Sequence, residues 1–222
     1  MAANTYLAYR LAFIHEIAEF ARLEGLELDP IRQGIGLDPR IRLGYFTPGL
    51  GFGGSCLPKD CMLINSNEFK GTFEFESAHT ATAVNNRLLK NLIELLGCKL
   101  GNLKGKRVAI LGAAFKPDVD DTRDSRAVRL AELLLKDKVL VSVYDPHLEG
   151  REVIPETDIP LAPDLESALK GAHAVIIGTA HKKFASLRPQ QVAGLVVHRL
   201  VFDYFGILNR EKWRAGGFEV VR

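Results

Sequence analysis

The sequence predicts an α/β chain, an all-helical first part followed by a doubly wound parallel sheet. Two observations predict it. Up to about residue 101, apolar residues recur at alternating spacings of three and four, the period of helices laid on a core. Beyond Gly101, short apolar runs alternate with helical stretches and close on Gly or Asp, as buried parallel strands joined by crossovers do. The change of rhythm sets the expected domains at 1–101 and 102–222, with the boundary near Gly101 to Gly105.

In the first domain Leu7, Leu11, Ile14, Ala18 and Ala21 mark one face of a helix, and Phe13, Ile17 and Phe20 form a second stripe. This helix is therefore expected to be buried on more than one side, and Gly25 to end it. Asp29-Pro30 opens a short helix running toward Gly34. Residues 36–55, with six glycines and two prolines, read as a loop. A helix from Pro58 to Asn67 follows. Ser77 is the expected cap of a longer helix carrying Ala78, Ala81, Asn85, Leu88, Leu92 and Leu95. Two long helices with this much apolar surface predict dimerisation through this domain.

The second domain opens with a strand at Lys106–Gly112. Ala127–Lys136 is helical, Val139–Tyr144 a strand ending at Asp145-Pro146, and Leu165–Lys170 a short helix. Strands follow at Ala174–Gly178 and Leu200–Asp203, with an edge strand at Phe218–Val221. Ligands of such sheets sit beyond the carboxyl ends of the strands.

A hydrophobic content of 47% and a charged content of 25% place the 222 residues among ordinary globular chains. The net charge of +2, with its cations dispersed, gives no reason to expect a nucleic-acid partner. No apolar run approaches a membrane span, and the first residues lack a cationic-then-apolar leader. Three cysteines without a disulfide framework suit a reducing compartment, so a cytoplasmic protein is expected. No cysteine–histidine cluster has metal-site spacing, so no metal is expected.

The run Gly51-Phe-Gly-Gly-Ser-Cys-Leu-Pro-Lys-Asp60 concentrates the chemistry. Its glycines allow close approach of backbone to ligand. Cys56 then stands where Pro58 begins a helix, with Lys59 three residues on, a setting that stabilises a thiolate. Alone, Cys56 has two readings, an activated nucleophile or a small packed hydrophobe. A second cluster follows the first strand: Gly112-Ala-Ala-Phe-Lys-Pro-Asp-Val-Asp-Asp-Thr-Arg123. It is not a dinucleotide fingerprint, because only Gly112 is present and Pro117 breaks the helix start. Phe115 offers a flat face for a base, Lys116 a cation and Arg123 a planar fork for phosphate or carboxylate; taken singly, Lys116 and Arg123 also read as solvated or paired with Asp118, Asp120 or Asp121.

These motifs, with Asn4-Thr-Tyr-Leu-Ala-Tyr-Arg10, Gly34-Ile-Gly-Leu-Asp-Pro-Arg-Ile41 and Tyr144-Asp-Pro146, resemble the UDP-glucose/GDP-mannose dehydrogenase family across essentially the whole chain. The resemblance implies a helical dimerisation domain joined to a Rossmann-like sheet that binds a nucleotide sugar. It implies two NAD-dependent oxidations at C6, from alcohol to acid, through a cysteine-bound thiohemiacetal and thioester. By resemblance Cys56 is the nucleophile, Asp60 activates the hydrolytic water, and the Asn4 amide holds the reacting oxygen. Lys59 and Arg123 are implied to lie at the cofactor, and Tyr45, Phe52 and Gly53 to enclose the sugar nucleotide. Phe115 and Lys116 are implied to hold its nucleotide portion, and Arg40 to reach the neighbouring subunit's sugar site.

Two departures accompany the resemblance. The family's N-terminal dinucleotide-binding domain has no counterpart in these residues, and the lysine expected four positions before Asn4 would fall just ahead of Met1. Near the C-terminus Asp203-Tyr-Phe-Gly206 stands where the family carries an Asp-Gly-Arg-Asn-like run. The expectation is the central and C-terminal part of a nucleotide-sugar 6-dehydrogenase, inactive alone because NAD is held mainly by the missing domain. The alternatives are a non-catalytic nucleotide-sugar-binding or dimerisation module, and a thiol hydrolase using His79 or His181.

Overall fold

A computed structural model of the chain describes residues 1–66 and 73–222. The chain divides into two compact units, Met1–Lys90 and Asn91–Arg222.

The first unit is helical, with α1 (Ala2–Leu23), α2 (Leu28–Gly36), α3 (Leu57–Leu63) and the first part of α4 (Glu76–Leu100). Its core joins Ala8 and Ala12 of α1, Cys61 of α3, Ala78, Ala81 and Val84 of α4, and Phe52 of the glycine-rich loop. Alanines on the facing helices let the backbones close in while Phe52 fills the space between.

Three local expectations are corrected. The stripe expected to face the core is rotated: Ile14 and Ala21 are buried, whereas Leu7, Leu11 and Ala18 are half-buried and Ala8 and Ala12 replace them inside. The second stripe is only partly covered among the described residues: Ile17 is half-buried and the Phe13 ring stacks on that of Phe46, yet Phe13 is 42% and Phe20 55% exposed, and Tyr6 and Tyr9 on the same face are exposed too. Ser77 lies within the first turn of α4, which begins one residue earlier, so it is not the cap. α1 gives way at Gly25, whose φ of +66° suits only glycine well. α3 stops at Leu63, and the expected helix end at Asn67 lies outside the described residues.

The second unit contains a parallel sheet of β1 (Arg107–Leu111), β2 (Leu140–Tyr144), β3 (Ala174–Ile177), β4 (Leu200–Phe202) and β5 (Glu219–Val221), in the spatial order β2-β1-β3-β4-β5. β1 lies between β2 and β3 with Leu111 paired to Tyr144 on one side and Ile177 on the other. The chain thus winds first to one side of β1 and then to the other. The resulting switch point lies beyond the carboxyl ends of β1 and β3, where sheets of this kind bind ligands.

The strands are connected through α5 (Arg126–Lys136), α6 (Leu165–Leu169), α7 (Lys182–Ala185), α8 (Pro189–Ala193) and α9 (Arg210–Ala215). Ser125, Asp164 and Asn209 cap α5, α6 and α9 by accepting backbone N–H bonds. Tyr144, Val175, Ile177, Phe184, Trp213 and Phe218 belong to one core cluster. The last residues of β1 and β3 run into Gly112 and Gly178, and the two turns touch. A Cβ on Gly178 would strike the Gly112 carbonyl, and one on Gly112 would lie 2.6 Å from Thr179 Cβ.

Candidate functional site

Cys56 caps the N-terminal end of α3, exposed, with its carbonyl accepting the Asp60 N–H at 2.9 Å. One turn of helix therefore separates the thiol from the carboxylate on neighbouring positions of one face. Gly51 at φ +116° and Gly54 at φ +77° bring the loop into this start. Two buried side chains fasten that loop. Asn85 accepts the Phe52 N–H at 2.8 Å and donates to the Phe52 carbonyl at 2.9 Å. His15 accepts the Gly49 N–H at 3.0 Å through Nε2, leaving Nδ1–H to donate to the Leu11 carbonyl.

Asp60 is buried and its two oxygens are held apart. Lys59 Nζ donates to Oδ1 at 2.9 Å, and Asn4 Nδ2 to Oδ2 at 2.7 Å. The Lys59 ammonium and then the Asn4 amide draw the Asp60 carboxyl down to about 2. Lys59 is raised in return, chiefly by Asp60. Asn4, Lys59 and Asp60 are thus one hydrogen-bonded group beside the thiol. The second thiol of α3, Cys61, is buried, and burial pushes it up.

Other expected residues of this unit stand apart in their contacts. Arg40 is exposed and folded onto Asp38, with Nη2 2.6 Å and Nε 3.0 Å from its carboxylate oxygens. Tyr45 is half exposed at φ +53°, a backbone region a bulky residue enters at a cost of roughly 1–3 kcal/mol. Phe52 is 5% exposed, its ring in the core and both its backbone groups bonded to Asn85, so it meets no ligand directly here. Gly53 is half-buried in the same loop.

In the second unit, the turn after β1 is tied down residue by residue. Gly112 donates to the Tyr144 carbonyl at 2.8 Å. Ala113 and Ala114 both donate to Asp145 Oδ2, at 2.7 and 3.0 Å. Thr179 Oγ1 donates to the Ala114 carbonyl at 2.6 Å, Phe115 N–H to the Asp121 carbonyl at 2.9 Å, and Asp118 N–H to His181 Nδ1 at 3.0 Å. Lys116 is exposed, its ammonium 5.3 Å from the centre of the Phe115 ring. Arg123 forks onto Asp121, with Nη2–Oδ2 at 2.6 Å, and this pair draws Asp121 down to about 2.

Asp145 and His181, both buried, were not picked out as a pair by the sequence reading. His181 Nε2 lies 3.0 Å from Asp145 Oδ2. Burial raises the Asp145 carboxyl, but the bonds from His181, Ala113 and His147 outweigh it and hold the group low. The only signal was the Asp145-Pro146 strand end, which marks a turn without disclosing a partner 36 positions away. His181 also does not serve a thiol, since both ring nitrogens are engaged within its own unit. Among the described residues, Asp118, His147 and His181 bring ligand-type atoms within 4.8 Å of one another. His181 Nδ1 already accepts the Asp118 amide, and the Lys182 ammonium sits 3.1 Å from Asp118 Oδ2, so the cluster is a hydrogen-bonded one and a poor cation site.

A helical unit presenting a thiol beside a fixed carboxylate, followed by a parallel sheet with an aromatic and cationic loop at its switch point, defines an α/β protein of nucleotide-binding type. The model of the UDP-glucose/GDP-mannose dehydrogenase family's central domain matches residues 1–87, and that of its UDP-binding domain matches residues 109–210. The chain belongs to this family. It is 31% identical to the UDP-glucose 6-dehydrogenase of Rickettsia conorii over 98% of its own length and 51% of the relative's. It is 33% identical to that of Pseudomonas aeruginosa, covering 91% of this chain and 46% of the relative. The structure of a UDP-glucose dehydrogenase from Pyrobaculum islandicum superposes with a TM-score of 0.83 at 32% identity, covering 96% of this chain and 47% of that one. The chain spans about half the length of the curated relatives it matches.

Proposed function

We infer that this chain carries the thiol-bearing and nucleotide-binding parts of a nucleotide-sugar 6-dehydrogenase, acting on UDP-glucose or a related sugar nucleotide. The observation that carries the reading is the exposed Cys56 at the start of α3, one turn ahead of Asp60 in its bonds to Lys59 and Asn4. A packed structural thiol has no need of this presentation.

Cys56 Sγ is assigned to add to the aldehyde-level C6, giving a thiohemiacetal whose oxidised form is a thioester open to water. Water then displaces the sulfur, which regains its proton as the uronic acid leaves. The Asn4 amide is suited to donate to the reacting oxygen. Asp60, held near 2, is a weak base while Lys59 is bound to it. Its first contribution is a fixed negative charge that orders Asn4 and Lys59, and activation of water requires Lys59 to turn away. Phe115 and Lys116 are assigned to the nucleotide, Tyr45 and Gly53 to the sugar side, and the Phe52 ring to supporting that loop from the core.

NAD supplies the hydride acceptor in this chemistry. The turn after β1 does not fit its diphosphate, because the Ala113 and Ala114 amides are spent on Asp145. NAD is therefore assigned to a domain outside these residues, with Lys59 and Arg123 as contacts from this side. The exposed stripe on α1 supports a homodimer, in which Arg40 serves the neighbouring subunit's site. No helix among the described residues is long and apolar enough to cross a membrane, and a cytoplasmic location fits the free thiols.

The test follows NADH at 340 nm with UDP-glucose and NAD. The chain alone is expected to give no sustained signal. Adding a dinucleotide-binding half from a family relative is expected to restore turnover that Cys56→Ser abolishes. Sustained turnover by the Cys56→Ser protein overturns the assigned chemistry.

A further inference from the structure

We propose that His181 is a positioning residue for the nucleotide loop, and that its protonation releases the loop and weakens nucleotide binding. The inference rests on the assignment of Phe115 and Lys116 to the nucleotide. The geometry fixes the tautomer. Asp145 Oδ2 can only accept from Nε2–H at 3.0 Å, and Asp118 N–H can only donate to an unprotonated Nδ1 at 3.0 Å. The ring is thus a neutral two-sided clamp with 0% exposure. One side holds the carboxylate that already gathers Ala113 and Ala114, and the other holds the far end of the same loop. Pro117 joins Lys116 to Asp118 and transmits a shift of one to the other, because its ring fixes φ.

The charged and titratable groups around the ring come from every packed segment. Asp145 and His147 follow β2, the His147 ring lying 4.8 Å from that of His181. Asp118 belongs to the loop after β1, with Oδ1 3.9 Å from His181 Nδ1. Lys182, next in sequence, binds Asp118 Oδ2 at 3.1 Å. Adding a proton to Nδ1 sets two N–H groups against each other, so the Asp118 amide must leave. The Asp118 carboxylate is near enough to take its place as acceptor. Asp118 sits at φ +59°, a left-handed conformation that this amide bond helps to hold and that a freed residue tends to abandon.

The experiment titrates UDP-glucose, whose diphosphate diester keeps its charge over the range, into the full chain by calorimetry at about pH 8 and about pH 5.5, limits that bracket imidazole titration in general. Hydrogen exchange of the Asp118 amide, expressed as a protection factor, is followed in the free chain at both pH values. Wild type is expected to lose roughly tenfold in affinity on acidification, the equivalent of one lost hydrogen bond. His181→Gln, whose amide offers a donor and an acceptor without titrating, is expected to bind within about threefold of wild type at the higher pH and to show no acid loss. His181→Phe should be weak by about tenfold at both pH values. His147→Asn should keep the acid loss.

A wild type without pH dependence, a His181→Gln protein that shows the same acid loss, or a His147→Asn protein that has lost it overturns the proposal. If wild type binds no UDP-glucose at either pH, the nucleotide assignment fails, and the exchange data then decide the loop claim separately. Acid loss of Asp118 protection in wild type but not in His181→Gln upholds the clamp, and unchanged protection overturns it.

Discussion

Asp60 shows how a single buried carboxylate can stand one helical turn from a thiol and still be tied to the fold. Its carboxyl lies at about 2 instead of the ordinary 3.8, so its stabilising contribution is complete above the ordinary value and disappears as pH falls through about 2. Asp60→Asn is therefore expected to make the urea midpoint less sensitive to pH across that interval. Part of the acid sensitivity should survive, because Asp121 under Arg123 titrates at about 2 as well. The thiols give a second prediction. Alkylation by iodoacetamide, mapped by peptide mass spectrometry, should modify Cys56 and Cys98 and reach the buried, upward-shifted Cys61 at least about tenfold more slowly. Labelling of Cys61 at the rate of Cys56 would contradict the burial order. Cys56, Lys59 and Asp60 were legible in sequence because they share one helical turn, where spacing dictates proximity. Asn4, 56 positions from Asp60, entered only through resemblance, and the Asp145–His181 pair did not enter, since a contact across the sheet leaves no local trace.

Among the elements, the strands and the long helices follow from hydrophobic period, and the capped starts of α5 and α6 match their expected positions to within a residue. The helices α7, α8 and α9 span only four to six residues. Such pieces complete less than two turns and leave little period to read, although α6, equally short, still carries Leu165, Ala168 and Leu169 at i, i+3 and i+4. The tilt of α1 toward Ala8 and Ala12 was likewise hidden, because alanine carries little hydrophobic signal yet decides how closely two helices approach. The turn after β1 and the loop before α3 each hold a residue whose replacement tests the fold. Gly112→Ala, at φ +100° and against Thr179, should cost at least ~2 kcal/mol in denaturant unfolding. Asn85→Ala strands the Phe52 N–H and carbonyl in the core and should cost about 1–3 kcal/mol, with Cys56 labelling altered as the loop loosens. An Asn85→Ala protein as stable as wild type would show that the loop finds other partners.

For the whole molecule, the change of rhythm near residue 101 announced two parts, and the structure divides at Lys90 and Asn91, inside α4. Period alone cannot reveal such a division, because the helix continues through it. Tyr6, Tyr9, Phe13 and Phe20 form a largely exposed apolar stripe along α1 among the described residues. Sedimentation velocity is expected to find a dimer, and the double substitution Tyr9→Glu with Phe13→Glu to yield monomers of unchanged helicity; a wild-type monomer at tens of micromolar would remove the dimer from the proposal. The Asp145 carboxylate carries a last implication. Where many α/β proteins leave the first turn of the sheet open to a visiting phosphate, this one has installed a tethered anion of its own. A diphosphate arriving there would meet amides already bonded to a carboxylate, and the proposed assignment of Phe115 and Lys116 puts it outward, at that ring face and ammonium. Under that assignment, selectivity would come from a ring face beside a cation and not from a cradle of free amides.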